Sequence, residues 1–122
     1  RIDILRSAME DLVRGGAFYE RQRAGLGGYF TDALFSDIDA LQLFAGVHPR
    51  FFGRFHRALS KRFPFAIYYT FDGQTVRVHA VLDCRRDPRG AEERLRGRLP
   101  YLQSAGIKSA GWQPVTTSPD AQ

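Results

Sequence analysis

Leu26, Phe30, Leu34, Ile38 and Leu41 recur at helical spacing, so a helix opening near Leu26 carries one continuous apolar stripe. Asp32, Asp37 and Asp39 occupy its solvated side, and Gly46 to Pro49 ends it. Such a helix must bury the stripe against something. An earlier helix is expected from about Ala8 to Arg23, with Leu12, Phe18 and Tyr19 turned to the core. Ser7-Ala8-Met9-Glu10 ahead of it reads as a capping box, serine oxygen to a helix amide and glutamate back to the cap. Gly15-Gly16 weakens this first helix, each glycine costing about 1 kcal/mol against alanine, and such a pair permits close approach by a neighbour. Ala24-Gly25 is the turn, and so short a connection makes the two helices an antiparallel hairpin.

Ile2 to Leu5 reads as a short strand before the helices. From Phe51 the period changes to two. Phe51, Phe55, Arg57 and Leu59 alternate with Phe52, Arg54, His56 and Ala58 in what reads as one strand. After a Ser60-Lys61-Arg62 turn, Phe65 to Phe71 is aromatic and β-branched, and Asp72-Gly73 is a hairpin turn. Thr75 to Leu82 then sets Val76, Val78, Ala80 and Leu82 inward and Arg77, His79 and Val81 outward. Asp87-Pro88 signals a further helix start, with Ala91 to Leu99 as its body. The pattern predicts an α+β domain: an N-terminal strand, a helical hairpin packed on a twisted, mainly antiparallel sheet, and a short C-terminal helix. Residues 1–99 form this domain; residues 100–122 are a partly irregular extension whose end, Gln113 to Gln122, reads as a frayed tail.

Anionic partners are favoured by a net charge of +5, almost all of it arginine, with lysine only at Lys61 and Lys108. No apolar run approaches the ~18 residues of a membrane span. No signal-peptide pattern follows Arg1, although a chain that opens on arginine leaves what precedes it open. One cysteine, Cys84, excludes an internal disulfide and suits a reducing cytoplasm. Oligomeric state is not readable.

Between Asp39 and Asp72 there is no acidic residue. Arg54, Arg57, Lys61 and Arg62 from this stretch, with Arg50, His48 and His56, are expected to join Arg77, Arg85, Arg86 and Arg89 in a basic surface on one sheet face and its rim. Such a surface suits a phosphate backbone or an acidic protein segment; the plainer alternative is a solvated face that keeps a small domain soluble. His79, outward beside Arg77 with His56 as a neighbour across the sheet, is the candidate general base toward a ribose hydroxyl. Cys84 beside Arg85 and Arg86 reads as an incidental strand-end residue. No HxxxH or HExxH spacing, phosphate loop or nucleophile elbow is present, so no metal or cofactor is expected.

From Ile2 to about Arg98 the chain resembles the RelE/ParE toxin superfamily, often called plasmid-stabilisation proteins. The resemblance lies in Ala8…Asp11-Leu12, Phe18-Tyr19-Glu20, Gly25-Leu26-Gly27, Phe30 and Arg57-Ala58-Leu59. It continues through Phe63-Pro64-Phe65, Ile67-Tyr68-Tyr69, Val78 to Leu82 and Arg85-Arg86-Asp87-Pro88. It implies a bacterial toxin neutralised by a cognate antitoxin whose extended or helical segment wraps it. It also implies one of two targets. ParE-like members poison DNA gyrase; RelE-like members cut messenger RNA on the ribosome. For RNA cleavage Arg57, Lys61, Arg77 and Arg85 are the candidate cations and His79 the candidate base. The nuclease branch often carries a tyrosine or histidine after the last strand, where this chain has Arg85-Arg86-Asp87-Pro88, and that departure favours the ParE-like branch. The alternatives are the endoribonuclease and a non-toxic nucleic-acid-binding relative.

Overall fold

The helix stripe read from the sequence is the spine of the core. In the computed structural model, which describes residues 1–85 and 88–105, Phe30, Leu34, Ile38 and Leu41 are buried, with Leu26 packed at their margin. They lie on α2 (Leu26–Asp39) and the short α3 (Leu41–Phe44), which follow β1 (Ile2–Ile4) and α1 (Arg6–Gln22). The single helix expected past Leu41 is thus two, broken at Ala40 with neither glycine nor proline to announce it. α1 supplies Ala8, Leu12 and Tyr19 to the same core; Phe18 points outward instead.

The hairpin between α1 and α2 closes where glycines let it. A Cβ at Gly15 would stand 2.6 Å from the Phe30 ring, and one at Gly27 would stand 2.5 Å from the Gly16 carbonyl. At the turn, the Glu20 carboxylate accepts the N–H groups of Gly25 at 3.0 Å and Gly27 at 2.9 Å, so the end of one helix caps the start of the next. Those two amides, Gly25 first, hold the Glu20 carboxyl below the ordinary carboxylate range.

Among the described residues one sheet is formed, in the order β1-β5-β4-β3-β2. Its strands after the helices are β2 (Arg50–Phe51), β3 (Phe55–Leu59), β4 (Phe65–Phe71) and β5 (Val76–Asp83). β1 runs parallel to β5 and the other pairs are antiparallel. The strand expected from Phe51 to Leu59 is a tight hairpin, because Phe52 (φ 55°) and Gly53 (φ 89°) both turn left-handed. A bulky residue at positive φ is a strained choice, so Gly53 alone signalled the turn and the flanking aromatic run masked it.

β5 departs from the expected alternation. Tyr68 pairs with Ala80 but Tyr69 pairs with Val78, so His79 is an extra residue on β5. The bulge flips the faces beyond it. Val76, Val78 and Val81 join the helix-side core with Phe65, Ile67, Tyr69 and Ala58, while Ala80 and Leu82 turn to the other face. Ser7 does not form the expected capping box: Leu5 is the cap, and the Ser7 hydroxyl donates to the His79 carbonyl at 2.8 Å.

A final helix, α4 (Pro88–Ala105), starts at the expected proline but extends further than Leu99, passing through Pro100; Glu92 and Arg96 pair along it at 2.7 Å. The expected cap Asp87 and the tail Gln113 to Gln122 lie outside the described residues. Among the described residues, no helix is long and apolar enough to cross a membrane.

Candidate functional site

The expected basic surface divides into three places. On the sheet face away from the α1–α2 hairpin stand Arg57 and Arg77. Arg57 is half-buried, its guanidinium 4.8 Å over the Phe51 ring and its Nη2 3.7 Å from the Cys84 sulfur. Its Nε is buried with no hydrogen-bond partner among the described residues. Arg77 is buried and pairs with Asp72 at 3.4 Å. Burial pushes the Asp72 carboxyl up, but the Thr75 and Gln74 amides and Arg77 outweigh it and hold it low. Arg77 is therefore a structural cation.

At the rim of the sheet Arg50, Arg54, Lys61 and Arg62 are exposed. Arg54 belongs to the β2–β3 turn. Lys61 and Arg62 follow β3, tied to α2: the Lys61 N–H and the Ser60 hydroxyl donate to Asp37, and Arg62 donates to the Tyr29 hydroxyl at 2.8 Å. Arg85 stands apart, exposed and gripped by the Asp83 carboxylate through two nitrogens at 3.0 and 2.7 Å. Arg86 lies outside the described residues.

The two histidines thought to be neighbours are on opposite faces. His79 is buried at the bulge, its Nε2 3.0 Å from the Thr70 hydroxyl and its ring edge-on to Phe55. His56, opposite Tyr69 in the β3–β4 register, faces the helices and stacks on that tyrosine at 5.1 Å. Tyr68, on the same face as Arg57, has its phenol pushed up by burial, which the nearby guanidinium only partly offsets. A buried imidazole and a phenol made less acidic do not present a ready base to solvent.

Two features escaped sequence reading. Ser7 and Asp11, one helical turn apart on α1, close the edge of β5 where β1 stops: the Val81 N–H donates to Asp11 at 2.9 Å. Their i, i+4 spacing was the available signal, masked by the capping-box pattern. Tyr69, a buried core residue, also organises a polar cluster with His48, His56 and Gly46.

The rim offers one further element. The Arg57 N–H donates to the Pro49 carbonyl at 3.0 Å, and proline has no N–H to return to the Arg57 carbonyl. β2 pairing therefore ends at this point. Leu59, at 61% exposure, continues the edge of β3, unpaired among the described residues, toward Lys61.

Fold and surface together define a small α+β protein with a helical hairpin on a five-stranded sheet, counted among the described residues, and a basic rim along its β2–β3 side. The same fold occurs in one chain of the solved chromosomal ParDE TA system from P. aeruginosa, with a TM-score of 0.59 and 16% identity over 66% of this chain and 90% of that one. No family model matches the sequence, and no curated protein matches it significantly.

Proposed function

We propose that this chain is the toxin of a type II toxin–antitoxin pair and that it acts by binding and poisoning DNA gyrase. The observation that carries the toxin reading is the fold it shares with a chain of a ParDE TA system, arrived at independently by the motif resemblance. The position of His79 favours gyrase over RNA: the one histidine offered as a base is buried and engaged with Thr70, and the candidate cations are dispersed. RNA cleavage needs base, acid and cations converging on one phosphate.

Its cognate antitoxin docks, on this reading, along the β2–β3 rim. The open edge at Arg57–Leu59 suits an extended segment, and Arg54, Lys61 and Arg62 suit an acidic one. A second copy of the chain would bring like charges together there, which opposes self-pairing.

Induced expression of the chain in a bacterial host is expected to stop growth. Toeprinting on translating ribosomes is expected to find messages intact at the arresting dose. Cleaved messages would transfer the assignment to the endoribonuclease, and harmless expression would remove the toxin reading altogether.

A further inference from the structure

Gly46 to Pro49, the segment between α3 and β2, is tied to the sheet through a small polar cluster. The Gly46 N–H donates to the Tyr69 hydroxyl oxygen at 3.0 Å. His48 Nδ1 lies 2.5 Å from that same oxygen, and His56 Nδ1 donates to the His48 carbonyl at 2.8 Å. Tyr69 is fully buried and His56 nearly so, whereas His48 is half-buried and reachable by solvent.

Proton placement in this cluster is constrained. The Tyr69 oxygen already accepts from Gly46, so its own O–H requires an acceptor, and His48 Nδ1 is the atom in place to serve. His48 must then be neutral with its proton on Nε2. A second proton would sit on Nδ1, where it meets the Tyr69 oxygen as a donor, so the buried phenol O–H loses the acceptor it has in the closed arrangement. Among the described residues, the titratable groups facing His48 are His56 from β3 and Tyr69 from β4. Arg50 of β2, opposite His56 in the register, adds a further cation on that side. No carboxylate is hydrogen-bonded or ion-paired to His48 among the described residues, so nothing there compensates a positive imidazole.

We propose that Gly46–Pro49 is a proton-sensitive latch, closed on Tyr69 by neutral His48 and opened when His48 takes a proton. Burial first, and the charge of His56 second, lower the His48 pKa, in keeping with a closed state that favours the neutral ring. The sign follows: latch closure is complete above the ordinary histidine range and is lost as pH falls through the lowered value of the closed state. Opening removes the Pro49 carbonyl from the Arg57 N–H and frees β2, held by two residue pairings, with the Phe51 ring that lies under Arg57. Acid therefore lengthens the open edge of β3. Only the effect of this on an antitoxin rests on the toxin reading; the latch itself does not.

The test is site-resolved amide hydrogen exchange by NMR on the full chain, corrected for intrinsic rates, at about pH 7.5 and about pH 5.5. Protection of Gly46 and Arg57 is expected to fall toward the lower pH, by up to about tenfold per pH unit, while the Ile67 and Val78 amides of the central strands hold theirs. His48→Asn keeps an acceptor near Nδ1 without the charge and is expected to protect Gly46 and Arg57 equally at both pH values. Tyr69→Phe is expected to leave Gly46 unprotected throughout; should that variant fail to fold, His48→Asn carries the test. Equal protection at both pH values in the unmodified chain would overturn the proposal. So would an equal acid loss in His48→Asn, which would place the proton elsewhere.

Discussion

The Asp11 carboxylate accepts the Val81 N–H at 2.9 Å, joining the first helix to the last strand across the point where β1 has ended. Asp11 is almost fully buried and also holds Arg14, an exposed side chain one helical turn on. With Ser7 on the His79 carbonyl, it takes the place of strand pairing along this edge of β5 and fixes the bulge. Removing the acceptor leaves a buried amide unsatisfied. Asp11→Ala is expected to cost about 2–3 kcal/mol in urea denaturation, with Asp11→Asn milder because it keeps an oxygen. A value for the alanine variant within the error of the unmodified protein would contradict this role.

The helix hairpin makes a paired prediction about glycines. Phe30 is fully buried between the rings of Tyr19, Phe63 and Phe65, at 5.2, 5.0 and 4.9 Å, and cannot withdraw from a Cβ at Gly15. Gly15→Ala is therefore expected to destabilise by about 1–3 kcal/mol despite the better helix former. A Cβ at Gly28 on α2 would meet nothing within 4 Å among the described residues, so Gly28→Ala is expected to stabilise by about 0.5–1 kcal/mol. Thermal melts of the two variants should shift in opposite directions.

Glu20 gives a pH dependence with a definite sign. Its carboxyl titrates lower in the folded chain than in the unfolded one, because it is the charged form that accepts from Gly25 and Gly27. Its contribution is thus present above the ordinary carboxylate range and lost as pH falls through the lowered folded value. The stability gap between the unmodified chain and Glu20→Gln is expected at neutral pH and expected to shrink in strong acid. A gap that widens in acid would refute the capping role.

Along the rim, charge reversal should act through association. Arg54→Glu combined with Lys61→Glu is expected to weaken binding of the antitoxin by about tenfold or more at low salt, with the difference narrowing as salt is raised. Both side chains are exposed, so the melting temperature should change little. Unchanged affinity in a correctly folded double variant would move the docking surface elsewhere.

Much of the fold was readable because its signals were local. The α2 stripe, the Gly15-Gly16 approach, and the Asp72-Gly73 turn with Gly73 at φ 97° each follow from a few adjacent residues. What was hidden depended on partners distant in sequence. Val76 to Leu82 reads as unbroken alternation, since nothing in it marks His79 as the extra residue; the register with Tyr68 and Tyr69 does. A serine three positions before a glutamate looks the same whether its hydroxyl turns to a helix amide or, as here, to a strand carbonyl 72 residues away. The basic site was legible only as composition. Which arginines are already engaged within the fold was decided by Asp72, Asp83 and Tyr29, acids and a phenol that no spacing rule pairs with Arg77, Arg85 and Arg62.

The central claim is most directly tested by plasmid supercoiling with purified DNA gyrase and this chain at about micromolar concentration, in the range where a protein–protein contact of ordinary strength is populated. Supercoiling is expected to stop, and added antitoxin is expected to restore it. Full supercoiling at every dose, from a chain that still arrests growth, would contradict gyrase as the target.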